Sequence, residues 1–399
     1  MGDKMRLLPF EQLVARVLEE YRSQGSIFDL HEAEWYRKPD ERSINVFGRR
    51  CETPLGPAAG PQTQLAANIL SSYLTGSRFI ELKTVQILDA LTLDKPCIDA
   101  ADEGYNTEWS TELALDEAWQ EYAKGWILLH LVEELFDRKA TAEPRSFVFN
   151  MSVGYDLAGI QSEPMQRYIA RMTDSSGEGR FAEWIDTVRR KVPAMLAGTG
   201  LEHKAGGLAD FDVSPHICGS VTLSTMHGCP PAEIEAICNH MLGDHGLDTY
   251  VKLNPTLLGF DTVTGILRRL GYDYVELDPG GFDRDLAYED ALDILTRLRS
   301  TADEAGRRFG VKLTNTLPAQ NNLGRLPGDD FFISGRALYP LSISLAARLS
   351  RHFAGDLPIS YSGGITKHNV EAVFKTGIRP ITVATDLLKP GGYLRQVQM

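Results

Sequence analysis

Short apolar segments alternate with longer amphipathic ones along most of the chain, and this alternation constrains the fold more than any other feature. Nine short runs have the composition of buried strands: Thr53–Ala59, Phe79–Val85, Phe147–Ser152, Val221–Ser224, Tyr250–Leu253, Tyr274–Leu277, Val311–Thr316, Ile359–Ser362 and Ile381–Thr385. Helical periodicity lies between them, at Leu113–Phe136, Phe181–Leu196, Ala232–Leu242, Thr262–Leu270, Leu286–Ala305, Ser342–Phe353 and Asn369–Lys375. Strands that alternate with helices predict βαβ units and a parallel sheet.

Eight such units close a (β/α)8 barrel, whereas a doubly wound sheet carries a G-x-G-x-x-G turn after its first strand. Gly56 and Gly60 do not make that fingerprint. We therefore predict an α/β fold, a TIM barrel that forms a single domain over residues 1–399. Nine candidate strands compete for eight positions, so Tyr274–Leu277, Val311–Thr316 or the first run lies outside the barrel.

Two segments fall outside the repeating pattern. Leu8–Tyr21 has apolar residues at helical spacing and predicts an N-terminal helix that packs on the barrel. The region 157–219 is long for a connection and predicts an insertion after the third strand. Because insertions at βα connections of a barrel lie over its mouth, we expect this one to form a lid or a subunit contact.

Composition excludes several classes of function. The chain has 54 Asp and Glu against 41 Lys and Arg, a formal charge of −13, which disfavours a nucleic-acid partner. No apolar run has the length of a signal peptide core or a membrane span, so we expect a cytoplasmic protein without a membrane partner. The five cysteines are unclustered, without a C-x-x-C, and predict neither a metal nor an iron–sulfur site in this chain.

Polar residues end several of the predicted strands, and in a barrel these ends face one pocket. They are Glu81, Lys83, Thr84, Asn150, Ser152, Lys252, Asn254, Asn315 and Thr316. A single lysine is commonly a surface side chain. Two lysines at two strand ends, Lys83 and Lys252, indicate an anionic ligand or a group that becomes anionic during reaction.

Two late strand ends predict a phosphate site. Gly363 and Gly364 follow one strand and precede a helix, and Ala384 and Thr385 end the next strand. Barrels commonly bind phosphate in the loops after strands seven and eight, where glycine permits close backbone approach. Gly335 is either part of a Ser-capped helix start or a second glycine turn for the same phosphate.

The segment from Thr225 to Pro231 leaves a strand and leads into a helix. Its two prolines are typical of a helix start. Cys229 would lie near that helix N-terminus, where a thiolate is favoured, and His227 is two residues away. This loop is a candidate proton donor or acceptor at the mouth of the barrel.

Together these motifs resemble the FMN barrels of dihydroorotate dehydrogenase (DHODH) and dihydropyrimidine dehydrogenase. The chain is more similar to the amino-terminal part of the family named "putative selenate reductase, flavoprotein subunit". The resemblance is concentrated in seven stretches: Thr53–Gln64, Phe79–Asp89, Asn106–Glu112, Val221–Ile237, Val251–Gly259, Val311–Leu317 and Ile378–Leu394.

The resemblance implies FMN as the cofactor. It implies backbone contacts to the flavin from Ala58 and Ala59, side-chain contacts from Lys83, Lys252, Asn315 and Thr316, and a phosphate site made by Gly335, Gly363, Gly364, Ala384 and Thr385. It assigns the proton transfer to Cys229 by its Cys-Pro, or to Thr225 if the loop is matched without a gap. Asn150, Asp156 and Asn254 are the candidate substrate residues, although relatives carry Asn in the place of Asp156.

Three hypotheses follow for the function. The first is an FMN-dependent dehydrogenase that acts on a CH–CH bond of a small cyclic, pyrimidine-like substrate. The second is a lyase or aldolase that forms a Schiff base on Lys252 or Lys83, with the phosphate of a phosphorylated substrate held at Gly363 and Gly364. The third is a non-catalytic electron-relay module. The resemblance further implies FAD or iron–sulfur electron-transfer domains or subunits as partners, and pairing into a homodimer.

Overall fold

A computed structural model describes residues 5–88, 93–107, 110–136, 147–225 and 227–399. Its centre is a parallel eight-stranded barrel. The strands are Leu55–Pro57 (β1), Phe79–Glu81 (β2), Val148–Val153 (β3), Cys218–Ser224 (β4), Asp248–Leu253 (β5), Phe309–Leu313 (β6), Ile359–Ser362 (β7) and Ile381–Val383 (β8).

The barrel follows the chain order. Each strand from β2 to β8 pairs with the next in parallel, and β8 pairs with β1. The edges of β1 and β2 meet where the N–H of Arg78 donates to the carbonyl oxygen of Leu55 at 2.9 Å, so the barrel is nearly closed. This architecture confirms the predicted (β/α)8 fold and includes Val311–Thr316, whose first residues belong to β6.

The predicted strand Tyr274–Leu277 is wrong. The segment follows a helix without forming a strand, and the Tyr274 hydroxyl is 2.8 Å from the hydroxyl of Tyr105. The carbonyl oxygen of Glu276 accepts the N–H of Gln320 at 2.9 Å. The segment therefore lies against the strands Gly104–Asn106 and Leu317–Gln320, which are outside the barrel.

Helices surround the barrel. They are Phe10–Gln24 (α1), Ala66–Leu74 (α2), Leu115–Leu135 (α3), Leu157–Ile160 (α4), Glu163–Thr173 (α5), Gly179–Met195 (α6), Pro231–Asn239 (α7), Phe260–Arg269 (α8), Pro279–Arg284 (α9), Tyr288–Glu304 (α10), Tyr339–His352 (α11), Val370–Lys375 (α12) and Leu394–Val397 (α13). The seven predicted helices correspond to α3, α6, α7, α8, α10, α11 and α12, and α1 confirms the N-terminal helix. Among the described residues, no helix has the length and apolar character needed to cross a membrane.

The insertion between β3 and β4 exists, but its expected position over the mouth is wrong. It contains α4, α5 and α6, and it packs against the flank of the barrel. Trp184 of α6 stacks on Trp119 of α3 with ring centroids 5.7 Å apart, and it also contacts Phe10 of α1. The guanidinium of Arg171 on α5 lies 3.5 Å from the centroid of a Trp119 ring. Large aromatic side chains therefore hold the insertion against α1 and α3.

A four-stranded antiparallel sheet contributes to the mouth instead, and we call it the mouth sheet. Its strands are Ile98–Asp99, Gly104–Asn106, Leu317–Gln320 and Asp330–Ser334, which come from the connections after β2 and β6. This sheet was not predicted, because its strands are short and two neighbouring strands, Gly104–Asn106 and Asp330–Ser334, are more than 200 residues apart in sequence.

The opposite end of the barrel is closed by apolar packing. A hairpin of Ile44–Val46 and Arg49–Cys51 places Phe47 against the strands. The ring of Phe47 stacks on Tyr250 of β5, with centroids 4.0 Å apart. Stacked aromatic rings contribute about 0.5–1.5 kcal/mol beyond the area that they bury.

Candidate functional site

Two neighbouring cavities lie at the carboxyl ends of the strands, where barrel enzymes carry their active sites. The smaller cavity is lined by many of the predicted residues: Ala58, Ala59, Lys252, Asn315, Thr316, Gly335, Gly363, Gly364, Ala384 and Thr385. The larger cavity, of about 850 Å³, is lined by Thr225 and His227. Asn315 and Thr316 line both cavities, so the two adjoin each other at the end of β6.

The smaller cavity forms where two glycine turns approach each other. Gly364 follows β7 with a φ of +62°, and Gly335 follows the mouth sheet with a φ of +73°. A Cβ atom on Gly364 would lie 2.5 Å from the carbonyl oxygen of Gly335 and 2.9 Å from Cα of Arg336. Only glycine combines this positive φ with so close an approach. Backbone therefore lines this part of the cavity, as a phosphate site requires.

A third close approach, which sequence analysis missed, involves Gly104 of the mouth sheet. A Cβ atom on Gly104 would lie 2.7 Å from Cγ2 of Thr385. The Thr385 hydroxyl donates to Oγ of Ser334 at 2.8 Å. The mouth sheet thus fixes the end of β8 and the Gly335 turn relative to each other. A glycine in a short strand was the available sequence signal, and it is not specific for a ligand site.

A buried ion pair forms the floor of the smaller cavity. Nζ of Lys312 on β6 lies 3.0 Å from Oε2 of Glu81 on β2, and both side chains are at most 1% exposed. Lys312 also donates to the hydroxyl of Thr382 at 2.8 Å. Oε2 of Glu81 accepts the N–H of Ala59 at 2.9 Å, which ties the backbone beside the cavity to the pair. Sequence analysis noted Glu81 as a strand end and missed Lys312, whose mid-strand position gave no signal.

Three charged groups meet in this interior. Burial raises the pKa of Glu81, but the positive charges of Lys312 and Lys252 outweigh burial and hold that pKa below its ordinary value. Burial lowers the pKa of Lys252 to about 8, with Glu81 opposing the decrease and Lys312 adding to it. Burial likewise lowers the pKa of Lys312. Two cations face one carboxylate here, so the interior favours a further negative charge.

Two other predicted residues are buried away from both cavities. Lys83 is 3% exposed and lines neither cavity, and its carbonyl oxygen accepts the Tyr122 hydroxyl at 2.8 Å. Asn150 is fully buried on β3 and donates to the hydroxyl of Thr222 at 2.8 Å. Its Oδ1 has no hydrogen-bond partner within the described part of the chain. Ligand contacts by Lys83 and Asn150 remain predictions.

The larger cavity is bounded by the loop after β4, by α9 and by the mouth sheet. Its ionisable lining residues, as far as the structure describes them, are Tyr155, His227, Asp278, Arg284, Asp285 and Asp330. Nη2 of Arg284 lies 3.0 Å from Oδ2 of Asp278. The one guanidinium is therefore paired, and the remaining formal charge of the described wall is negative.

His227 and Asp285 form a hydrogen-bonded pair in that wall. Nδ1 of His227 lies 2.8 Å from Oδ2 of Asp285. The same oxygen accepts the Thr256 hydroxyl at 2.8 Å and Nδ2 of Asn254 at 3.1 Å, and Oδ1 accepts the N–H of Gly228 at 2.7 Å. Burial raises the pKa of Asp285, but its bond to His227 and the other donors hold that pKa below its ordinary value.

Cys229 does not have the thiolate character that its position at a helix N-terminus predicted. Burial, followed by the negative charge of Glu233, raises the pKa of Cys229 to about 11. Its Sγ lies 3.9 Å from Oε2 of Glu233. Cys229 lines a recess of about 10 Å³ beside Lys252 and Asn254, outside the wall of the larger cavity. The thiolate prediction is wrong because desolvation and a carboxylate outweigh the helix terminus.

The remaining candidate substrate residues have structural partners. Asp156 caps α4, where its Oδ1 accepts the N–H of Gly159 at 2.7 Å. Asn254 contributes to the hydrogen bonds around Asp285. Sequence analysis missed Asp285 because it lies 58 residues from His227 and outside any predicted strand end. Substrate contacts by Asp156 and Asn254 remain predictions.

Comparisons with known proteins agree with this fold. A crystal structure of DHODH from Eimeria tenella matches with a TM-score of 0.54 at 17% identity, covering 97% of this chain and 89% of that chain. The chain is 55% identical over 399 residues to "Putative oxidoreductase YgfK" of Escherichia coli (strain K12) and to the protein of that name from Escherichia coli O157:H7. That match covers 99% of this chain and 38% of each relative, so the chain spans less than half of their length.

A protein-family model gives the same assignment from sequence. The model described as "Oxidoreductase YgfK, N-terminal TIM-barrel domain" matches residues 28–399, which include every barrel strand and both cavities. The predicted likeness to DHODH barrels is confirmed at the level of the fold. The chain belongs to this oxidoreductase family of YgfK N-terminal TIM-barrel domains.

Proposed function

We propose that the chain is an FMN-dependent oxidoreductase that acts on a CH–CH bond of a small cyclic substrate. One observation carries the proposal: the recess between Gly335 and Gly364 adjoins the cation of Lys252 and shares Asn315 and Thr316 with a larger cavity. A phosphate-bearing planar cofactor in the smaller cavity and a substrate in the larger one would meet at these two residues.

The residues of the smaller cavity fit FMN. Because of the close approach at Gly364, backbone atoms would line the cavity beside a bound phosphate. Thr385, at the end of β8, lines the same cavity. Ala58 and Ala59 would lie under the ring, and the N–H of Ala59 is already fixed by Glu81. When bound, FMN supplies the group that accepts or donates a hydride.

The charges of the floor suit a cofactor that becomes anionic on reduction. Lys252 and Lys312 both line the cavity, and Lys312 is paired with Glu81. The net excess of one cation would stabilise negative charge on a reduced flavin. Lys252 would hold this charge, and the buried pair would fix the backbone beneath it.

The larger cavity favours a neutral or cationic substrate. The unpaired charges that the structure describes in its wall are carboxylates, because Arg284 is bound to Asp278. A carboxylate substrate such as dihydroorotate would face Asp285 and Asp330 without a free cation, which costs binding energy. A neutral cyclic amide of the dihydropyrimidine type avoids this repulsion.

The visible spectrum of the purified chain tests the cofactor. We expect a yellow protein that retains about one FMN after excess cofactor is removed by gel filtration, with the absorption bands of an oxidised flavin. A protein that stays colourless after incubation with FMN would contradict the proposal, provided that its unfolding transition is cooperative.

Anaerobic mixing with 5,6-dihydrouracil and with L-dihydroorotate tests the substrate class. We expect dihydrouracil to bleach the flavin at least about tenfold faster, because like charges oppose the carboxylate. Faster bleaching by L-dihydroorotate would contradict the charge argument and leave the cofactor assignment intact.

A second candidate function is a Schiff-base lyase or aldolase, and the depressed pKa of Lys252 is the observation that favours it. An amine with a pKa of about 8 is partly unprotonated at neutral pH and can attack a carbonyl group. Borohydride reduction in the presence of pyruvate, followed by peptide mass spectrometry, distinguishes the two functions. Trapping on Lys252 would favour the lyase, whereas unmodified Lys252 in a yellow protein favours the dehydrogenase.

The chain would work with further electron-transfer components. It spans 38% of the length of its YgfK relatives, which leaves room for FAD or iron–sulfur domains in such proteins. A pure electron-relay role would make flavin reduction depend on these components alone. Assays of the full-length relative with and without selenate test the predicted selenate pathway. The mass of the purified chain in solution tests the predicted homodimer.

A further inference from the structure

We propose that His227 is the catalytic residue that exchanges a proton with the substrate, and that Asp285 is its positioning residue. This inference deepens the proposed function, on which it rests, by assigning the proton step of the same dehydrogenation. It replaces Cys229 and Thr225 in that role.

The hydrogen bond to Asp285 fixes the tautomer of His227. A carboxylate accepts hydrogen bonds and has no proton to donate, and it lies closer to Nδ1 of His227 (2.8 Å) than Nδ2 of Asn254 does (3.1 Å), so Nδ1 carries the hydrogen. Nε2 of the neutral ring is then left with its lone pair. A ring in this state can accept a proton from a substrate and return it later.

Asp285 is itself held rigidly. It is 8% exposed, and its two oxygens accept hydrogen bonds from the N–H of Gly228, from the Thr256 hydroxyl and from Nδ2 of Asn254. These donors come from the loop after β4 and from the end of β5. The carboxylate therefore joins two strand ends and orients the imidazole without being free to rotate.

Nε2 of His227 is the ring nitrogen that remains for a ligand. It is buried and has no hydrogen-bond partner among the described residues, although the ring lines the larger cavity. Phe332 of the mouth sheet stacks on the ring, with centroids 6.1 Å apart and planes inclined by 18°. A buried nitrogen without a partner is unfavourable unless a ligand satisfies it.

The other two candidates are less suited to the step. Cys229 lies outside the wall of the larger cavity, beside the carboxylate of Glu233. Thr225 lines that cavity, but a hydroxyl needs a neighbouring base before it can accept a proton. His227 combines a place in the wall with a lone pair.

The proposed step balances in atoms and electrons. In the oxidative direction Nε2 of His227 accepts the proton from one substrate carbon, and FMN, when bound, would supply the acceptor for the hydride that leaves the adjacent carbon. The electron pair of the C–H bond that loses the proton becomes the new C=C bond. In the reductive direction the imidazolium returns the proton, and Asp285 stabilises its charge.

Several charged groups surround this imidazole. Asp285 is in direct contact, Asp278, Arg284 and Asp330 share the cavity wall with the ionisable Tyr155, and Lys252 lines the adjoining recess. Asp285 is therefore placed to stabilise the imidazolium that forms when the ring accepts a proton.

Chemical labelling tests the free nitrogen without FMN or substrate. Diethylpyrocarbonate acylates unprotonated imidazole nitrogens, and peptide mass spectrometry locates the product. We expect His227 to be labelled, but more slowly than exposed His203, because its Nε2 is buried in the free protein; His203 is the positive control for the reagent. His240, whose Nδ1 lies 2.6 Å from Asp244 and whose Nε2 lies 3.0 Å from Gln166, has both nitrogens engaged and should react more slowly. Labelling of His203 without His227 would overturn the proposal.

Flavin bleaching by 5,6-dihydrouracil tests the proton step in the FMN-loaded protein. We expect H227Q to lose about 10²- to 10⁴-fold in the rate of bleaching, with its KM within about threefold of the wild type. D285N should lose about 10²-fold or more, because an amide does not impose the tautomer, and D285E should recover part of the rate. The matched control pair H240Q and D244N alters a His–Asp pair outside both cavities.

The outcomes separate this inference from the proposed function. A colourless wild-type protein would contradict the function, while labelling would still decide whether Nε2 is available. Bleaching by H227Q within about threefold of the wild-type rate would overturn the role of His227. A loss in C229A as large as that in H227Q would return the role to the thiol. If dihydrouracil does not reduce the flavin of the wild-type protein, the labelling experiment decides instead. In that case, absence of label on His227 would overturn the proposal.

Discussion

The two cavities at the mouth of the barrel differ in the groups that line them. In the smaller one, close backbone approach at Gly335 and Gly364 shapes one side, and the charged floor that contains Lys252 lies beside it. Side chains dominate the larger one, where the pair of His227 and Asp285 lies in a wall with carboxylates. A site formed by close backbone approach requires glycines that can be recognised in the sequence. The side chains of a site that forms only in the fold have no fixed spacing along the chain.

The difference separates two tasks. A recess lined by backbone suits a part of a cofactor that stays bound, because its donors cannot change protonation state. A wall of titratable side chains suits the group that turns over. Asn315 and Thr316, which follow β6, line both cavities and so lie between the proposed cofactor site and the proposed substrate site. The expected effects below, from the largest to the smallest, test this division.

The largest effect should follow from breaking the charged floor of the smaller cavity. K312M leaves the buried carboxylate of Glu81 with only Lys252 nearby, and we expect a loss of about 3 kcal/mol in the free energy of unfolding, measured by urea titration. The double variant E81Q/K312M should recover much of it. In the exposed pair of Glu371 and Lys375, K375M should change stability by less than about 0.5 kcal/mol. Equal losses in K312M and K375M would refute the structural role of the floor.

A methyl group should distinguish the backbone cavity from an ordinary glycine turn. G364A places a Cβ atom 2.5 Å from the carbonyl oxygen of Gly335, so we expect FMN to bind about 10- to 100-fold more weakly, measured by flavin fluorescence. G377A is the matched control, because Gly377 also has a positive φ, of +92°, but nothing lies within 4 Å of its added Cβ. G377A should cost about 1 kcal/mol of stability and leave FMN affinity unchanged. Similar affinities in the two variants would argue against a phosphate site.

Lys252 should make stability depend on alkaline pH. Its pKa falls from 10.5 to about 8 on folding, so between these values the unfolded chain binds a proton that the folded chain releases. The free energy of unfolding of the apoprotein should therefore rise with pH across this window, relative to K252M, by on the order of 1 kcal/mol after allowance for partial exposure. Urea midpoints measure it. Parallel pH profiles for the wild type and K252M would mean that the lysine keeps its ordinary pKa.

The smallest effect concerns the thiol beside the larger cavity. Because burial and Glu233 raise the pKa of Cys229 to about 11, we expect iodoacetamide to alkylate it slowly at neutral pH and faster as the pH approaches that value. Cys97, which is partly exposed, gives the comparison within the same protein. Peptide mass spectrometry measures both rates. Rapid labelling of Cys229 at neutral pH would restore the thiolate interpretation.

The outcome of the sequence analysis differs between regions for a physical reason. The barrel was predicted because hydrophobic periodicity is local, and eight of the nine predicted runs overlap its strands. Tyr274–Leu277 failed because an apolar segment that lies against a second sheet looks like a barrel strand. The insertion was predicted, but its packing on Trp119 and Phe10 depends on contacts between distant segments.

The sequence by itself determined the parallel barrel and most residues of the smaller cavity, because strand ends and glycine turns are local patterns whose convergence follows from the barrel. Tertiary structure alone decided which polar residues became partners. Lys312 meets Glu81 across the barrel interior, and Asp285, which follows α9, meets His227 in the loop after β4. Burial then fixed the chemistry, since desolvation raised the pKa of Cys229 and lowered that of Lys252. Pairing and solvent exclusion depend on three-dimensional neighbours, and no spacing along this chain encodes them.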